Sequence, residues 1–311
     1  MRSFAAGITL LMILAAALAH AGPLDVRQVS ADAKWLVHID VDAMRASTVL
    51  QRTWKKAIET QGQGNVAAQL AAIRDQMCMD PTSDLHGILA YGSSPGSPEG
   101  VLIVHAAVDQ ARFIEKVGKA PGYRTGNHRS LPWHGWVQSD GPAMCAFFKP
   151  DLLVFAKTEP MLAKGLDVLD GKSQSLPEGH PLVAEPAPPG TILLIRAIGL
   201  AGAALPFKSP LFTHCQSLHV AFGEHQATGF SEVNLVVGSP ETADRVRAIL
   251  EGLRATALLH CEARPSLMSL VNRTRVTISG STVKAATSAP VDDVWAAVES
   301  LWTRTSEVAP K

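Results

Sequence analysis

The sequence predicts an α+β protein with two related halves, each a mostly antiparallel sheet with helices packed on one face. Two observations carry this prediction. Short apolar runs rich in β-branched residues, such as residues 34–41 and 191–198, have the composition of strands. The predicted strands occur in hairpins, and single helices separate these hairpins. This order favours antiparallel sheets over a doubly wound parallel sheet. At 311 residues and 47% hydrophobic content, the chain can bury a substantial core.

Similar elements recur along the chain in the same order. Asp84-Leu85-His86-Gly87 is similar to Ser217-Leu218-His219-Val220, and each precedes a short apolar run. Residues 156–160 and 286–290 are likewise similar, and each opens a helix. Nearly equal spacing between these pairs predicts an internal duplication. The predicted parts are a signal peptide at 1–21, a first half at 22–170, a Pro- and Gly-rich linker at 171–190, a second half at 191–304 and a tail at 305–311.

The first 21 residues have the pattern of a secretory signal peptide. Arg2 is followed by an apolar run from 4 to 18 and by the small-x-small sequence Ala19-His20-Ala21, which predicts cleavage before Gly22. The alternative is that the segment is retained as an anchor. Cleavage would leave no later transmembrane span, because the longest apolar run, 191–207, is interrupted by Arg196. The expected location is therefore periplasmic or secreted.

The net charge of the chain limits the classes of partner that it is expected to bind. Lysine plus arginine number 28, and aspartate plus glutamate also number 28. A neutral chain lacks the excess of cations that binds nucleic acid. The expected partner is an unidentified protein or small ligand of the cell envelope.

Four cysteines are candidates for disulfides in an exported protein: Cys78, Cys145, Cys215 and Cys261. Four cysteines allow three pairings. Bridges within halves would join Cys78 to Cys145 and Cys215 to Cys261. Cys145 lies in an apolar run, where a buried free thiol is an equal alternative.

One group of polar residues could form a metal site. His38 and Asp40 alternate along the first predicted strand and so share a face. If neighbouring strands pair in the right register, His86 and His105 approach them and complete a cluster that binds zinc or a similar divalent metal. The alternative is that these histidines have structural roles. No catalytic or cofactor-binding residue is otherwise predicted, and no cofactor is expected without that metal.

Two further patterns suggest sites. Gly92-Ser93-Ser94-Pro95-Gly96 matches the nucleophile motif of α/β-hydrolases, but Pro95 lacks the backbone N–H needed for the oxyanion hole, so a hairpin loop is favoured. Asn127-His128 and Trp133-His134-Gly135-Trp136 could line a carbohydrate-binding surface or cover the edge of the core.

Residues 30–45, which contain Ala-Asp-Ala-Lys-Trp-Leu-Val-His-Ile-Asp-Val-Asp-Ala, resemble the opening of a group of uncharacterised exported bacterial proteins of planctomycete type. The resemblance implies export and a bacterial source, and it implies no activity, cofactor or site. The sequence therefore predicts an exported, non-enzymatic protein with a binding or envelope-associated structural role. The alternative function is a metal-dependent hydrolase that uses His38, Asp40, His86 and His105.

Overall fold

The computed structural model describes residues 24–307 except 62, 96–98, 140, 202 and 204–212. The predicted signal peptide lies outside the described residues. None of the described helices is long and apolar enough to cross a membrane. The helices are α1 (Val41–Ala46), α2 (Thr48–Gln61), α3 (Gln63–Met77), α4 (Gln110–Val117), α5 (Glu159–Leu169), α6 (Pro240–His260), α7 (Pro265–Arg273) and α8 (Val291–Glu307).

A 3-10 turn, Val26–Gln28, precedes the first strand. The strands are β1 (Trp35–Asp40), β2 (Leu85–Gly92), β3 (Val101–Ala106), β4 (Arg124–His128), β5 (Leu131–Gln138), β6 (Gly141–Lys149), β7 (Leu152–Ala156), β8 (Thr191–Ile198), β9 (Cys215–His225), β10 (Thr228–Val237), β11 (Arg275–Ser279) and β12 (Thr282–Pro290). The strand pairs described below are all antiparallel, which confirms the predicted α+β class.

The chain divides into two compact units. Of the described residues, the N-terminal unit holds 24–42 and 61–186, and the C-terminal unit holds 43–60 and 187–307. The predicted boundaries differ from this division at 43–60. The predicted boundaries differ also at the linker, residues 171–190. Most of this segment packs into the N-terminal unit, where Leu176 and Leu182 are buried.

The sheet of the N-terminal unit has the strand order β1-β2-β3-β7-β6-β5-β4. Helix α4 covers one face, where Phe113 contacts Phe147 and Phe155 edge to face. Helix α5 covers the opposite face, because Gly165 lies against Val101 and Val154. Val154 and Phe155 are consecutive and so point to opposite faces. The helices of this unit therefore pack on both faces, whereas the sequence predicted one.

The sheet of the C-terminal unit has the order β8-β9-β10-β12-β11. This repeats the order β1-β2-β3-β7-β6 of the first unit. In both units a helix follows the third strand (α4 and α6) and another follows the last strand (α5 and α8). The shared connectivity supports the predicted duplication, which stays a prediction at the level of sequence.

All four cysteines lie among the described residues, and all four are free thiols. The predicted bridges Cys78–Cys145 and Cys215–Cys261 are therefore not formed in this structure. Cys145 is fully buried in β6, and its burial raises the thiol pKa, which is the behaviour of an inert core cysteine. The structure therefore supports the alternative prediction that Cys145 is a buried free thiol.

Candidate functional site

An open cavity of about 880 Å³ lies within the N-terminal unit. One side is formed by the 3-10 turn Val26–Gln28 and by Ala31. A second side comes from the end of β6 and the start of β7, and a third from the end of α5 and residues 171–177. A volume of this size falls within the usual range of roughly 300–1,000 Å³ for small-molecule sites.

Local hydrogen bonds fix the 3-10 turn at the cavity rim. The Asp25 carboxylate accepts the backbone N–H of Arg27 at 3.0 Å and two bonds from the Arg27 guanidinium, each at 2.9 Å. The hydrogen bond with Arg27 is the main reason that the pKa of Asp25 is lowered. Two backbone bonds, Ala31 N to Gln174 O and Leu176 N to Val29 O, then join this side to the opposite wall.

The turn that ends α5 directs the chain along the third side of the cavity. The amide of Lys172 donates to Asp167 O at 2.8 Å, and the amide of Gly171 donates to Val168 O at 3.1 Å. These bonds make a Schellman motif, which needs a left-handed residue after the helix end. Gly171 supplies it at φ +68°.

Replacing Gly171 by alanine is expected to destabilise the protein by about 1 kcal/mol, since a Cβ in the left-handed region costs roughly 1–2 kcal/mol. The space is open, because a Cβ at Gly171 would meet nothing within 4 Å. Urea unfolding of both proteins measures the difference. Gly252→Ala is the matched control, because Gly252 lies inside α6 with equally open space, and there alanine is expected to stabilise by about 0.5–1 kcal/mol. Equal effects at the two positions would contradict the Schellman assignment.

The polar rim of the cavity is held in place from the sheet side. Gln28 lines the cavity, and its Oε1 lies 3.0 Å from Nε2 of His105 on β3. Since an amide oxygen accepts, His105 donates from Nε2. Burial lowers the pKa of His105, although Asp151 and Asp25 act to raise it. His105 is therefore a neutral donor at pH 7 that orients the Gln28 side chain.

The structure places the four predicted metal ligands near one another but not as a ligand group. Asp40 and His105 both pair with Gly87, on its two sides, so they stand two strand spacings apart, roughly 10 Å. His86 lies at a bulge of β2 and bonds through Nδ1 to Asp42 at 3.2 Å. Among the described residues, which include all four, no three His, Cys, Asp or Glu side chains form a group that could hold a metal ion.

His38 lies half-buried in β1, and burial together with the nearby His105 lowers its pKa to about 4. His38 and His105 are therefore both neutral imidazoles at pH 7. Because burial lowers the pKa of both histidines, the stability of the protein depends on pH.

The other two predicted patterns belong to the scaffold. Trp133 and Trp136 are buried, and Trp136 packs against Phe113 of α4. They cover the core and do not form a ligand surface. Ser94 lies in a bend after β2, where its carbonyl accepts from the Trp35 indole at 3.2 Å, and Gly96 lies outside the described residues.

Sequence reasoning missed the cavity itself. Its walls come from segments far apart in the chain, and no short motif marks Gln28 or Lys149. The one available signal was the pair of leucines within the predicted linker, Leu176 and Leu182, since buried apolar residues are not typical of a free linker.

No protein-family model and no curated protein sequence matches this chain. Solved structures with a similar arrangement include three crystal forms of the Treponema protein TP0453. Form III has a TM-score of 0.49 and 8% identity, with 90% of this chain and 100% of that chain covered. Form I has a TM-score of 0.46 and 10% identity over 90% and 98% of the two chains. At this level the likeness says nothing about what this chain binds or does.

Proposed function

We propose that this chain is an exported, non-enzymatic binding protein of the cell envelope, which holds a small ligand in the cavity of its N-terminal unit. The observation that carries the proposal is the cavity, of which two sides are fixed by hydrogen bonds, one at Asp25 and Gln28 and the other at Gly171. A preformed, concave and largely apolar space with a few placed polar groups is the usual form of a ligand site. Export rests on the predicted signal peptide.

The polar groups at the cavity suit binding better than catalysis. Two serines, Ser173 and Ser175, line it, and neither is hydrogen-bonded to a histidine among the described residues. A serine nucleophile needs an adjacent general base to be activated. His105, which contacts the lining residue Gln28, donates its Nε2–H to that side chain. These groups therefore act as hydrogen-bonding partners for a bound molecule.

Filling the cavity tests the proposal. The mature protein is titrated with 1-anilinonaphthalene-8-sulfonate, and binding is followed by fluorescence. Ser173 is half-buried in the cavity wall, so Ser173→Trp is expected to weaken binding by about tenfold or more, since tenfold corresponds to only about 1.4 kcal/mol. Ser279→Trp is the control, because Ser279 is exposed on β11 and lies outside this cavity.

Circular dichroism and urea midpoints establish that both variants are folded. Loss of binding in the Ser173 variant alone supports a site in the cavity. Equal binding by wild type and both tryptophan variants would place the dye elsewhere and overturn the proposal.

A further inference from the structure

We infer that the cavity selects molecules with an apolar body and a carboxylate group, and that Lys149 is the cation that anchors the carboxylate. This inference rests on the proposed function, since it names the ligand class of the same cavity. It is carried by the arrangement of apolar and charged groups in the lining, each of which limits what the cavity accepts.

The inner surface of the cavity is apolar. Leu152 and Val168 are buried, Phe148 and Leu169 are half-buried, and all four line the space. They come from the end of β6, the start of β7 and the end of α5, so two sides of the cavity carry apolar surface. An apolar body placed against this wall gains free energy in proportion to the apolar area it removes from water.

Of the charged groups at the rim, two neutralise each other. Both carboxylate oxygens of Asp25 accept hydrogen bonds from the Arg27 guanidinium, so the negative charge of Asp25 is offset by the positive charge of Arg27. Lys149 also lines the cavity, is exposed, and forms no ion pair with any described residue. The uncompensated charge of the lining is therefore positive.

The Gln28 side chain presents hydrogen-bond donors at the rim. Because Oε1 of Gln28 already accepts from His105, its amide N–H groups are the part of that side chain left to bind a ligand. The end of α5 carries a partial negative charge, which would disfavour an anion. Two of its last carbonyls, those of Val168 and Asp167, however, already accept from the amides of Gly171 and Lys172. A ligand carboxylate at this rim can therefore pair with the Lys149 ammonium and accept from the Gln28 amide.

The choice of a carboxylate over a cation or a neutral molecule follows from this pattern. A cationic ligand would face Lys149 with no unpaired carboxylate in the lining to offset it. A neutral ligand of equal shape would gain the apolar contacts but no charge-assisted hydrogen bond, which is about twice as strong as a neutral one.

The test compares 2-naphthoate with 2-naphthylmethanol, which has the same ring system without the charge, by isothermal titration of the mature protein. The wild type is expected to bind the carboxylate about two- to fivefold more tightly, which is the factor that one exposed ion pair with Lys149 can supply. Lys149→Met should reduce naphthoate affinity to that of the alcohol and leave the alcohol unchanged. Lys149→Arg should retain most of the preference, since it keeps the charge.

Lys55→Met is the matched control, because Lys55 is an exposed lysine of α2 that does not line this cavity, and it should bind both compounds as the wild type does. If the two compounds bind equally, or if the preference survives Lys149→Met, the inference about ligand class is overturned. In that case, loss of binding in Ser173→Trp would still support the proposed site. If neither compound nor the dye binds the wild type, the proposed function itself falls.

Discussion

Lowering the pH from 7 to 4 is expected to cost the protein about 3 kcal/mol of stability through His38 alone. The imidazole of His38 is half-buried in β1, and its pKa in the folded protein is about 4 because burial, with a smaller contribution from His105, disfavours the charged form. In the unfolded chain the pKa of histidine is about 6.5.

The direction of the pH effect on stability depends on whether the folded or the unfolded chain binds a proton at the higher pH. Between pH 6.5 and 4 the unfolded chain takes up a proton at position 38, whereas the folded protein does not. Acidification through this window therefore stabilises the unfolded state, and the loss is complete below the folded pKa. His105 acts in the same direction, since burial lowers its pKa too, although Asp151 and Asp25 partly offset this and His86 and Lys149 reinforce it.

Replacing His38 by glutamine removes the titrating group and keeps a polar side chain. Urea unfolding at several values between pH 7 and 4 should show a shallower loss of stability for His38→Gln than for the wild type. His225→Gln is the control, because His225 is exposed at the end of β9, and it should follow the wild-type curve. If His38→Gln loses as much stability as the wild type over this window, His38 is not the acid-sensitive group.

Elements whose signals are local could be predicted from the sequence. The run from 191 to 198 was expected as a strand and forms β8, Thr191–Ile198. The helix expected to open at residues 156–160 forms α5, Glu159–Leu169, because Thr158 and Pro160 mark its start. Antiparallel order followed from hairpin-like spacing. Which face each helix covers could not be predicted, because strand β7, Leu152–Ala156, is apolar at every position and so gives no alternation to read.

The candidate site could not be predicted, because its parts meet only through tertiary structure. Gln28 and residues 171–177 are far apart in sequence, and the bonds Ala31 N to Gln174 O and Leu176 N to Val29 O bring them together.

The prediction of a metal site depended on the strand register in the same way. Gly87, not a histidine, stands between Asp40 and His105, and the bulge at His86 turns that side chain to Asp42. Neither the register nor the bulge leaves a mark in the sequence.

Truncation of Leu162 to alanine is expected to destabilise the protein by about 3 kcal/mol, within the range of roughly 2–5 kcal/mol for buried leucines. Leu162 is fully buried on the face of α5 that also carries Gly165 and Leu166, and Gly165 brings this face close to Val101. Such close packing leaves the neighbours little freedom to fill the space that the leucine vacates, so the cavity term is large.

Leu253→Ala is the control for this truncation, because Leu253 lies on α6 with 55% of its surface exposed, and an exposed site should change stability by no more than about 0.5 kcal/mol. Urea midpoints at an unchanged m-value measure both effects. Leu162 does not line the ligand cavity, so folded Leu162→Ala protein should bind naphthoate as the wild type does. Helix α5 would then have two separable roles, since its buried leucine stabilises the unit while its C-terminal turn shapes the cavity. A Leu162→Ala protein as stable as the wild type would show that α5 is not docked through this face.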